Sequence, residues 1–448
     1  MFKKVLIANR GEIAVRVIRA CRELGVETVA VYSTVDESAL HTQLADEAVC
    51  IGPPAPRDSY LNAFAILSAA NITGVDAIHP GYGFLSENSR FVSMCKKSNV
   101  AFIGPTAEAM DKMGNKLMAR RIMKEADVPI IPGSVDAIED LVEAKKLAKE
   151  VGYPVMIKAS AGGGGRGIRK VESEKDIEAA IASASGEALA AFGDGTLYME
   201  KCIEDARHIE VQIMCDNYGN AVHMFERECS LQRRNQKLME EAPSAFFNDE
   251  QRNSIGRAAV RAAKASGYNS AGTIEFLVDD DGNYYFMELN ARVQVEHPVT
   301  EMATGIDIIK TQIMIASGEE LPFKQEDITL TAHAIECRIN AEDPSKNFMP
   351  SVGTVSLLHV PGGPGIRFDT AIYMGYKIPA NYDSMIGKLI VWDKTREGAL
   401  AKMRSALNEL VVEGVETNID FQFEIVNNED VMRGNIDTGF IARLMEEK

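Results

Sequence analysis

The sequence predicts a chain of mixed α/β and α+β class, and three stretches carry that prediction. Residues 3–32 have the pattern of a buried strand, a helix and a second strand. Residues 154–171 have the pattern of two strands joined by a glycine-rich loop, and residues 286–297 alternate between apolar and polar side chains. The first pattern is typical of a parallel sheet covered by helices, whereas the other two indicate antiparallel strands.

Size and composition limit the possible functions. With 448 residues the chain exceeds one core, so two to three domains are expected. A net charge of −17 argues against a nucleic-acid partner, because phosphates would be repelled. The seven cysteines are scattered without a Cys-x-x-Cys pair, which predicts reduced thiols and a cytoplasmic location. We see no signal peptide and no apolar run of membrane length, so no membrane partner is expected.

Residues 1–114 continue to alternate between helix and strand patterns and are predicted to form one small α/β domain. The turn Asn9–Glu12 lacks the Gly-x-Gly-x-x-Gly pattern, so no dinucleotide is expected there. The segment His79–Asn88 carries two glycines and a tyrosine after a predicted strand. It suits either a ligand-facing loop or a simple Pro-Gly turn.

The glycine-rich segment Ser160–Gly167 lies between a strand predicted at 154–159 and a returning strand at 168–171. A Rossmann loop would be followed at once by a helix, and a Walker A loop would end in Gly-Lys-Ser/Thr, so neither fits. The segment is either a flexible surface hairpin or a loop whose N–H groups cover phosphates. In the second interpretation Lys158 would supply positive charge to the same phosphates.

Three further segments carry polar groups. The strand predicted at 197–203 could pair with an adenine edge through its backbone. The strand predicted at 207–213 places three polar side chains on one face: His208, Glu210 and Gln212. The basic segment 232–237 is typical of a solvated loop, unless the fold brings it to the glycine-rich loop.

The stretch Phe286–His297 has the strictest pattern in the chain. Its odd positions from 287 to 295 are apolar, and its even positions are Glu288, Asn290, Arg292, Gln294 and Glu296. Strict alternation predicts an extended segment with one wholly polar face. An ordinary edge strand is one interpretation. The floor of an active site is the other, because such a face is costly to bury unless water or a ligand satisfies it.

A hairpin is predicted before this stretch, with Asp281-Gly282 as its two-residue loop. That register places Glu275 opposite Glu288, whereas a three-residue loop would shift the pairing by one. Facing carboxylates destabilise a sheet, and a divalent cation between them removes the repulsion. Oxygen ligands, with Asn290 next on the same face, favour Mg²⁺ or Mn²⁺. Because Mg²⁺ held in this way binds phosphates, the acids and the glycine-rich loop together predict an ATP–Mg²⁺ site.

Several separate motifs, in one order and over nearly the whole chain, resemble the biotin carboxylase family of the ATP-grasp superfamily. The motifs are Ile7–Ile13, His79–Asn88, Ala161–Gly167, Gln232–Lys237, Glu288–His297, Ala334–Asn340 and Tyr382–Met385. The resemblance implies a Rossmann-like pre-ATP-grasp domain at 1–114. It also implies an ATP-grasp domain at 115–330, with a mobile lid at about 132–203, and a C-terminal biotin carboxylase domain at 331–448.

The resemblance also implies roles for individual residues. The ATP-binding residues would be Lys116, Lys158, Gly163, Gly164, Gly165, Arg166, Gly167, Glu200, Lys201, Ile203, His208 and Gln232. The metal ligands would be Glu275, Glu288 and Asn290, and the bicarbonate-binding residues would be Lys237, Arg292, Gln294 and Val295. Biotin would contact Tyr82 and Arg338. The catalytic residues would be Glu296 as the base, with Arg292, Arg338 and Lys237.

The implied reaction joins bicarbonate and ATP through carboxyphosphate and yields ADP, phosphate and N1-carboxybiotin. The chain has no Met-Lys-Met turn, so we expect biotin on a separate biotin carboxyl carrier protein. A carboxyltransferase subunit would then choose the acceptor, either acetyl-CoA, another acyl-CoA or pyruvate. The resemblance also implies a homodimer. Two positions depart from the family pattern: Asn235, where many relatives have His, and Pro364, where relatives often have an aromatic residue in a loop that helps to pair subunits.

Two other functions remain open at this point. A different ATP-grasp ligase, joining an amine to a carboxylate, would share the lid and the metal site. It would not need Glu296, Arg338 and the Tyr82 loop together. A non-enzymatic ATP sensor would not need to keep Lys237 and Arg292, which the family uses for bicarbonate.

Overall fold

The first part of the chain is built on a parallel sheet. The structure, a computed structural model, describes residues 1–138, 140–160 and 167–446. Its first elements are β1 (Lys4–Ile7), α1 (Gly11–Glu23), β2 (Glu27–Ser33), α2 (Leu40–Leu44), β3 (Glu47–Gly52), α3 (Ala63–Thr73), β4 (Ala77–His79), α4 (Ser89–Lys97), β5 (Ala101–Phe102) and α5 (Ala107–Gly114). The strands of this part pair in parallel in the order β3-β2-β1-β4-β5, so the predicted βαβ opening is confirmed.

Helices cover both faces of this sheet, as its apolar strands require. Val5 and Ile7 of β1 pack with α1 on one side, whereas Leu6 packs with residues of α3 and α4 on the other. Strand β3 was not predicted. It lies at the edge of the sheet with Glu47 and Cys50 exposed, so it lacks the continuous apolar run of a buried strand.

The glycine-rich segment belongs to a small unit with its own core. The elements of this region are α6 (Lys116–Glu125), α7 (Leu141–Val151), β6 (Val155–Ala159), β7 (Ile168–Val171), α8 (Ile177–Phe192) and β8 (Leu197–Lys201). Strands β7, β6 and β8 form an antiparallel sheet, and β6 and β7 are the two strands predicted on either side of the glycines. Apolar residues of α7, α8 and these strands form a separate cluster, which includes Ala144, Ile157 and Met199.

The rest of the chain is organised by one large antiparallel sheet. Its first elements are β9 (Arg207–Cys215), β10 (Ala221–Arg233), β11 (Gln236–Ala242), α9 (Asp249–Ser266), β12 (Ser270–Val278), β13 (Tyr284–Asn290), α10 (His297–Thr304) and α11 (Ile308–Ala316). The following elements are β14 (His333–Asn340), β15 (Glu342–Asp343), β16 (Met349–Pro350), β17 (Gly353–Thr354), β18 (Leu357–His359), β19 (Ile366–Thr370), β20 (Lys377–Ile378), β21 (Met385–Asp393), α12 (Arg396–Glu409), β22 (Val411–Glu413), α13 (Ile419–Asn427), α14 (Glu429–Arg433) and α15 (Phe440–Glu446).

In the described residues this sheet has the strand order β13-β12-β9-β10-β11-β14-β21-β19. The pairing of β11 with β14 joins strands on either side of residue 331, which was the predicted start of the last domain. One continuous surface therefore carries side chains from both regions. None of the helices described is long and apolar enough to span a membrane.

Candidate active site

A row of charged side chains crosses four neighbouring strands. Glu288 on β13 lies opposite Glu275 on β12, which lies opposite Glu210 on β9. Glu210 in turn lies opposite Arg227 on β10, and the two form a fully buried ion pair. The three carboxylates in this row repel each other, and Arg227 supplies only one positive charge. Further cations from outside the row are therefore needed.

The predicted pairing of Glu275 with Glu288 is confirmed, although the predicted turn is wrong. Residues 279–283 separate the two strands, so the loop has five residues rather than the two of Asp281-Gly282. The Asp279 side chain accepts the N–H groups of Asp281 and Asn283, which stabilises the longer turn. An irregularity at Met287, between the Glu275 and Phe276 pairs, restores the register that brings the two acids face to face.

Lys237 is the first cation outside the row. Its ammonium lies 2.7 Å from Glu210 Oε2, 2.6 Å from Glu296 Oε1 and 3.4 Å from Glu275 Oε1. Burial alone would lower the pKa of Lys237, but the carboxylates of Glu210, Glu275 and Glu296 outweigh it and raise the pKa well above the ordinary value. Lys237 is therefore charged and joins the row to the segment that follows β13.

Glu275 has the most hydrogen-bond donors in this cluster. Its oxygens accept from Asn290 Nδ2 at 2.8 Å and Gln294 Nε2 at 3.2 Å, and they lie 2.9 Å from His208 Nε2. Gln232 Nε2 lies 2.9 Å from His208 Nδ1, so the imidazole accepts from the amide and donates to Glu275. Burial opposes ionisation of Glu275, yet Lys237 and His208 lower its pKa.

Glu296 lies between two cations. Lys237 bonds to Oε1, and Arg338 Nη2 donates to Oε2 at 3.0 Å. Burial alone would raise the pKa of Glu296, but Lys237 and Arg338 lower it well below the ordinary value. Arg338 Nε donates to Glu240 Oε1 at 2.6 Å, so two carboxylates fix the guanidinium.

The predicted strand through residue 297 is wrong in its second half. Strand β13 ends at Asn290, and residues 291–296 lead irregularly into α10. The backbone N–H of Ala291 donates to Glu87 at 3.0 Å instead of to a neighbouring strand. Glu87 also accepts from Arg292 Nε at 3.0 Å, and Arg292 donates to Asn290 and Gln294. Burial does not follow the apolar and polar alternation here, because Gln294 and Glu296 are as buried as Ala291 and Val293.

Glu288 differs from its facing partner. It is half-buried and has no hydrogen-bond donor among the described residues, whereas Glu275 has several. Burial and the neighbouring charge of Glu275 raise the pKa of Glu288, and Lys116 opposes that rise. Two facing carboxylates, one of them without a donor, and the Asn290 amide form the oxygen-rich set that suits Mg²⁺. These residues therefore fit the predicted metal.

A second charged group lies on the small sheet. Lys158 on β6 pairs with Glu200 on β8, and Arg120 donates to the other oxygen of Glu200 at 3.1 Å. Lys116 is close enough for Glu200, Lys158 and Glu288 to influence its pKa, which burial lowers. Lys116 therefore interacts electrostatically with this group and with Glu288.

Not every predicted ATP residue is brought into these groups. Lys201 donates to the carbonyls of Gly152 and Tyr153 at 3.0 and 3.3 Å, away from Glu200. Gly167 precedes β7 with a positive φ, and a Cβ there would lie 2.9 Å from that of Ala159. Ile203 lies two residues beyond the end of β8 at Lys201. The predicted residues Gly163, Gly164, Gly165 and Arg166 lie outside the described residues.

The predicted biotin contact Tyr82 lies in the loop after β4. Asn9 donates to the carbonyls of Pro80 and Tyr82, both at 2.7 Å, and holds this loop. The Tyr82 hydroxyl donates to Glu12 at the start of α1. The segment is therefore a fixed loop, bonded to the neighbouring βα turn.

Comparison with known proteins identifies the family. The biotin carboxylase N-terminal domain profile matches residues 1–110, and the carbamoyl-phosphate synthase L chain ATP binding domain profile matches 115–324. The biotin carboxylase C-terminal domain profile matches 336–443. Biotin carboxylase 1 of Bacillus subtilis is 58% identical over 442 residues, which cover 98% of each chain. This chain belongs to the biotin carboxylase family.

Two other relatives span the chain. A pyruvate carboxylase subunit from Methanothermobacter thermautotrophicus is 52% identical over 98% of this chain and 90% of its own. The crystal structure of the biotin carboxylase domain dimer of 2-oxoglutarate carboxylase from Hydrogenobacter thermophilus contains MgADP, ADP and bicarbonate. It aligns with a TM-score of 0.94 and 52% identity, over 99% of this chain and 98% of its own. The predicted family, fold class and enzyme class are confirmed.

Some residues that complete this biotin carboxylase site were not predicted as site residues. They are Glu12, Glu87, Glu210, Arg227, Glu240 and Lys388. Glu210 was recognisable because it shares a strand face with His208. The others contact the site from distant segments, and no local pattern marks them.

Proposed function

We propose that this enzyme carboxylates biotin on a separate carrier protein, using ATP and bicarbonate, with Glu296 as the base. Biotin carboxylases catalyse ATP-dependent carboxylation of biotin, and family membership assigns that reaction to the chain. The observation that carries the assignment of the base is the position of Glu296 between Lys237 and Arg338.

Bicarbonate would bind beside the cationic side chains of Lys237 and Arg292. Gln294 and the backbone of Val295 would also hold the anion. The incoming anion competes with Glu296 for the Lys237 ammonium, and loss of that contact raises the pKa of the Glu296 carboxyl. Glu296 then accepts the bicarbonate proton, which makes the oxygen nucleophilic towards ATP. A positioned base of this kind contributes about 10²- to 10⁴-fold.

ATP would lie between the facing acids and the small sheet. Glu275, Glu288 and Asn290 would hold Mg²⁺, which neutralises charge on the transferred phosphoryl group when it is bound. Lys116 and Lys158 would supply further positive charge, with His208 and Gln232 at the edge of the cluster. The segment 132–203, with residues 163–167 at its loop, would act as a lid over the phosphates. The backbone of residues 200–203 would face the adenine ring of ATP.

Biotin would bind between Arg338 and Tyr82. Carboxyphosphate releases CO₂ and phosphate, and the phosphate can take the N1 proton of biotin. The ureido oxygen then carries negative charge, which the Arg338 guanidinium offsets. Glu240 Oε1 fixes that guanidinium by accepting a hydrogen bond from Arg338 Nε at 2.6 Å.

The partners follow from the chemistry and from the relatives. The protein would work with a biotin carboxyl carrier protein and a carboxyltransferase in the cytoplasm, as a homodimer like the relative from Hydrogenobacter thermophilus. Relatives of equal identity are subunits of pyruvate carboxylase and of 2-oxoglutarate carboxylase, which supports an α-keto acid as the acceptor, and an acyl-CoA is the alternative. Copurification of the carrier and transferase would identify the acceptor, and light scattering would measure the number of copies in the assembly.

ADP release with free biotin tests the reaction. We expect turnover in the presence of Mg²⁺ to require bicarbonate and to increase with biotin. Turnover that depends on neither bicarbonate nor biotin would contradict the proposal and favour another ATP-grasp ligase. Nucleotide binding without any turnover would indicate an ATP sensor.

A further inference from the structure

A buried lysine joins three parts of the chain behind the proposed biotin site. Lys388 on β21 is completely buried. Its ammonium lies 3.1 Å from Glu12 Oε1 and donates to the Val295 carbonyl at 2.8 Å. Glu12 Oε1 also accepts the Tyr82 hydroxyl. One side chain therefore contacts the helix α1, the segment before α10 and, through Glu12, the Tyr82 loop.

The charges around Lys388 are not those of a simple structural ion pair. Burial lowers its pKa, but Glu12, Glu336 and Asp369 outweigh burial and the neighbouring Arg367, so the net pKa is raised. Glu12 Oε2 and both oxygens of Glu336 are buried without a hydrogen-bond partner among the described residues. Buried polar groups without hydrogen-bond partners destabilise the folded state, so apolar side chains in their place would join these segments with a smaller loss of stability. The arrangement therefore calls for another role.

We propose that Lys388 and Glu12 are positioning residues that fix the Tyr82 hydroxyl and the Val295 carbonyl together, and so couple the biotin end of the site to the bicarbonate end. Because Val295 immediately precedes Glu296, a shift of Lys388 would move the segment that carries the proposed base. This inference rests on the proposed function of the site.

The hydrogen-bond direction at Tyr82 has a consequence for biotin. The hydroxyl proton is donated to the Glu12 carboxylate, so the phenol oxygen has only lone pairs to offer. A ureido ring carries N–H donors as well as a carbonyl acceptor. Biotin would therefore donate an N–H to Tyr82 while its carbonyl oxygen faces Arg338.

A double-mutant cycle tests the coupling. Tyr82→Phe, Glu12→Gln and the double variant are compared with the unaltered protein for the KM of free biotin and the KM of ATP. We expect each single change to raise the KM for biotin by up to about tenfold, which is the worth of one hydrogen bond between neutral groups. The KM for ATP should stay unchanged. If Glu12 acts through Tyr82, the double variant should be no worse than either single one. Multiplied effects would overturn the proposal.

Lys388→Met tests the contact between Lys388 and the Val295 carbonyl. It should raise the KM for both bicarbonate and biotin, because it releases Val295 and leaves Glu12 without its cation. The matched control is Lys402→Met in the same region, since Lys402 pairs with Asp393 and donates to the Trp392 carbonyl at 2.7 Å, away from the site. Equal effects of the two variants would contradict the role of Lys388.

Failure of the proposed function and failure of the positioning role give different results. If the unaltered protein shows no biotin-dependent ADP release, the proposed function is wrong, and the positioning role falls with it. If the unaltered protein is active but the Tyr82 and Glu12 effects multiply, only the positioning role is wrong. Tyr82→Phe removes a single hydroxyl group from a loop, so its result does not depend on whether Lys388→Met folds.

Discussion

Glu275 and Glu288 face each other across β12 and β13, but only Glu275 is surrounded by hydrogen-bond donors among the described residues. Its pKa is lowered despite burial, chiefly by Lys237 and His208, so this carboxylate is charged and fixed. The pKa of Glu288 is raised by burial and by Glu275. The pair therefore stores repulsion that a divalent cation would relieve, and this asymmetry leads to a first prediction.

Glu288→Gln should separate metal-dependent activity from stability. The change removes one ligand, and we expect turnover at saturating Mg²⁺ and ATP to fall about 10²-fold or more, because bound metal supplies several kcal/mol to the transition state. Without ligands, the same variant should be as stable as the unaltered protein, or more stable by about 0.2–1 kcal/mol, since the like-charge pair is gone. Thermal unfolding and ADP release measure the two effects.

Asp281→Asn is the matched control for Glu288→Gln. It removes an acid from the exposed turn of the same hairpin and should leave both quantities unchanged. A clear loss of ligand-free stability in Glu288→Gln would show that Glu288 is a structural residue and would contradict the metal assignment.

Glu296→Gln should abolish chemistry and spare nucleotide binding. Glutamine keeps the size of the side chain but cannot accept the bicarbonate proton, so we expect turnover to fall about 10²- to 10⁴-fold. Titration with ADP should give an unchanged Kd. The control is Glu241→Gln, a buried carboxylate that pairs with His333 and Arg396 outside the site. Loss of nucleotide binding in Glu296→Gln, but not in the control, would show that Glu296 serves ATP instead.

Lys158→Met should weaken ATP binding. Lys158 pairs with Glu200, which retains Arg120 as a second cation, so the fold of the small sheet should survive the change. We expect the KM for ATP to rise about 10- to 100-fold, the worth of a hydrogen bond to a charged group. Lys170→Met on the neighbouring strand is the control, because Lys170 is exposed and pairs with Glu172 and Glu204. Equal KM values in the two variants would place the phosphates elsewhere.

A buried histidine should make stability depend on pH. His79 is fully buried, accepts the Gly81 N–H at 3.0 Å, and burial lowers its pKa to about 3. In the unfolded chain His79 has a pKa of about 6.5 and takes up a proton below that pH, whereas the folded protein keeps the imidazole neutral. The neutral buried imidazole therefore contributes fully to stability above pH 6.5. As the pH falls from about 6.5 towards 3, that contribution is lost at about 1.4 kcal/mol per pH unit.

His79→Asn should therefore make the loss of stability on acidification less steep. Asparagine can accept the Gly81 N–H but does not titrate. Unfolding midpoints at pH 7 and pH 5 should lie closer together in the variant than in the unaltered protein, even if both midpoints are lower. His359→Asn, which removes an exposed histidine, is the control. An unchanged difference between the two midpoints in His79→Asn would contradict a neutral buried imidazole.

Much of the fold followed from local patterns. The apolar run within residues 3–8 predicted a parallel strand, and the glycines between two short strands predicted a hairpin, because side-chain periodicity is a local property of helices and strands. Segments with mixed exposure were harder. Strand β3 at the sheet edge was missed, and residues 291–296 keep an alternating pattern although they do not lie in a sheet.

The sequence by itself determined the family, the facing pair Glu275 and Glu288 and most of the polar groups of the site. Only the tertiary structure decided how their charges are balanced. Two acids of the row, Glu210 and Glu275, are balanced by Arg227 on β10 and Lys237 on β11. Lys388 reaches Glu12 across 376 positions of the chain. Strand order and long-range pairing set such contacts, and a linear pattern carries no information about which distant strand will lie alongside.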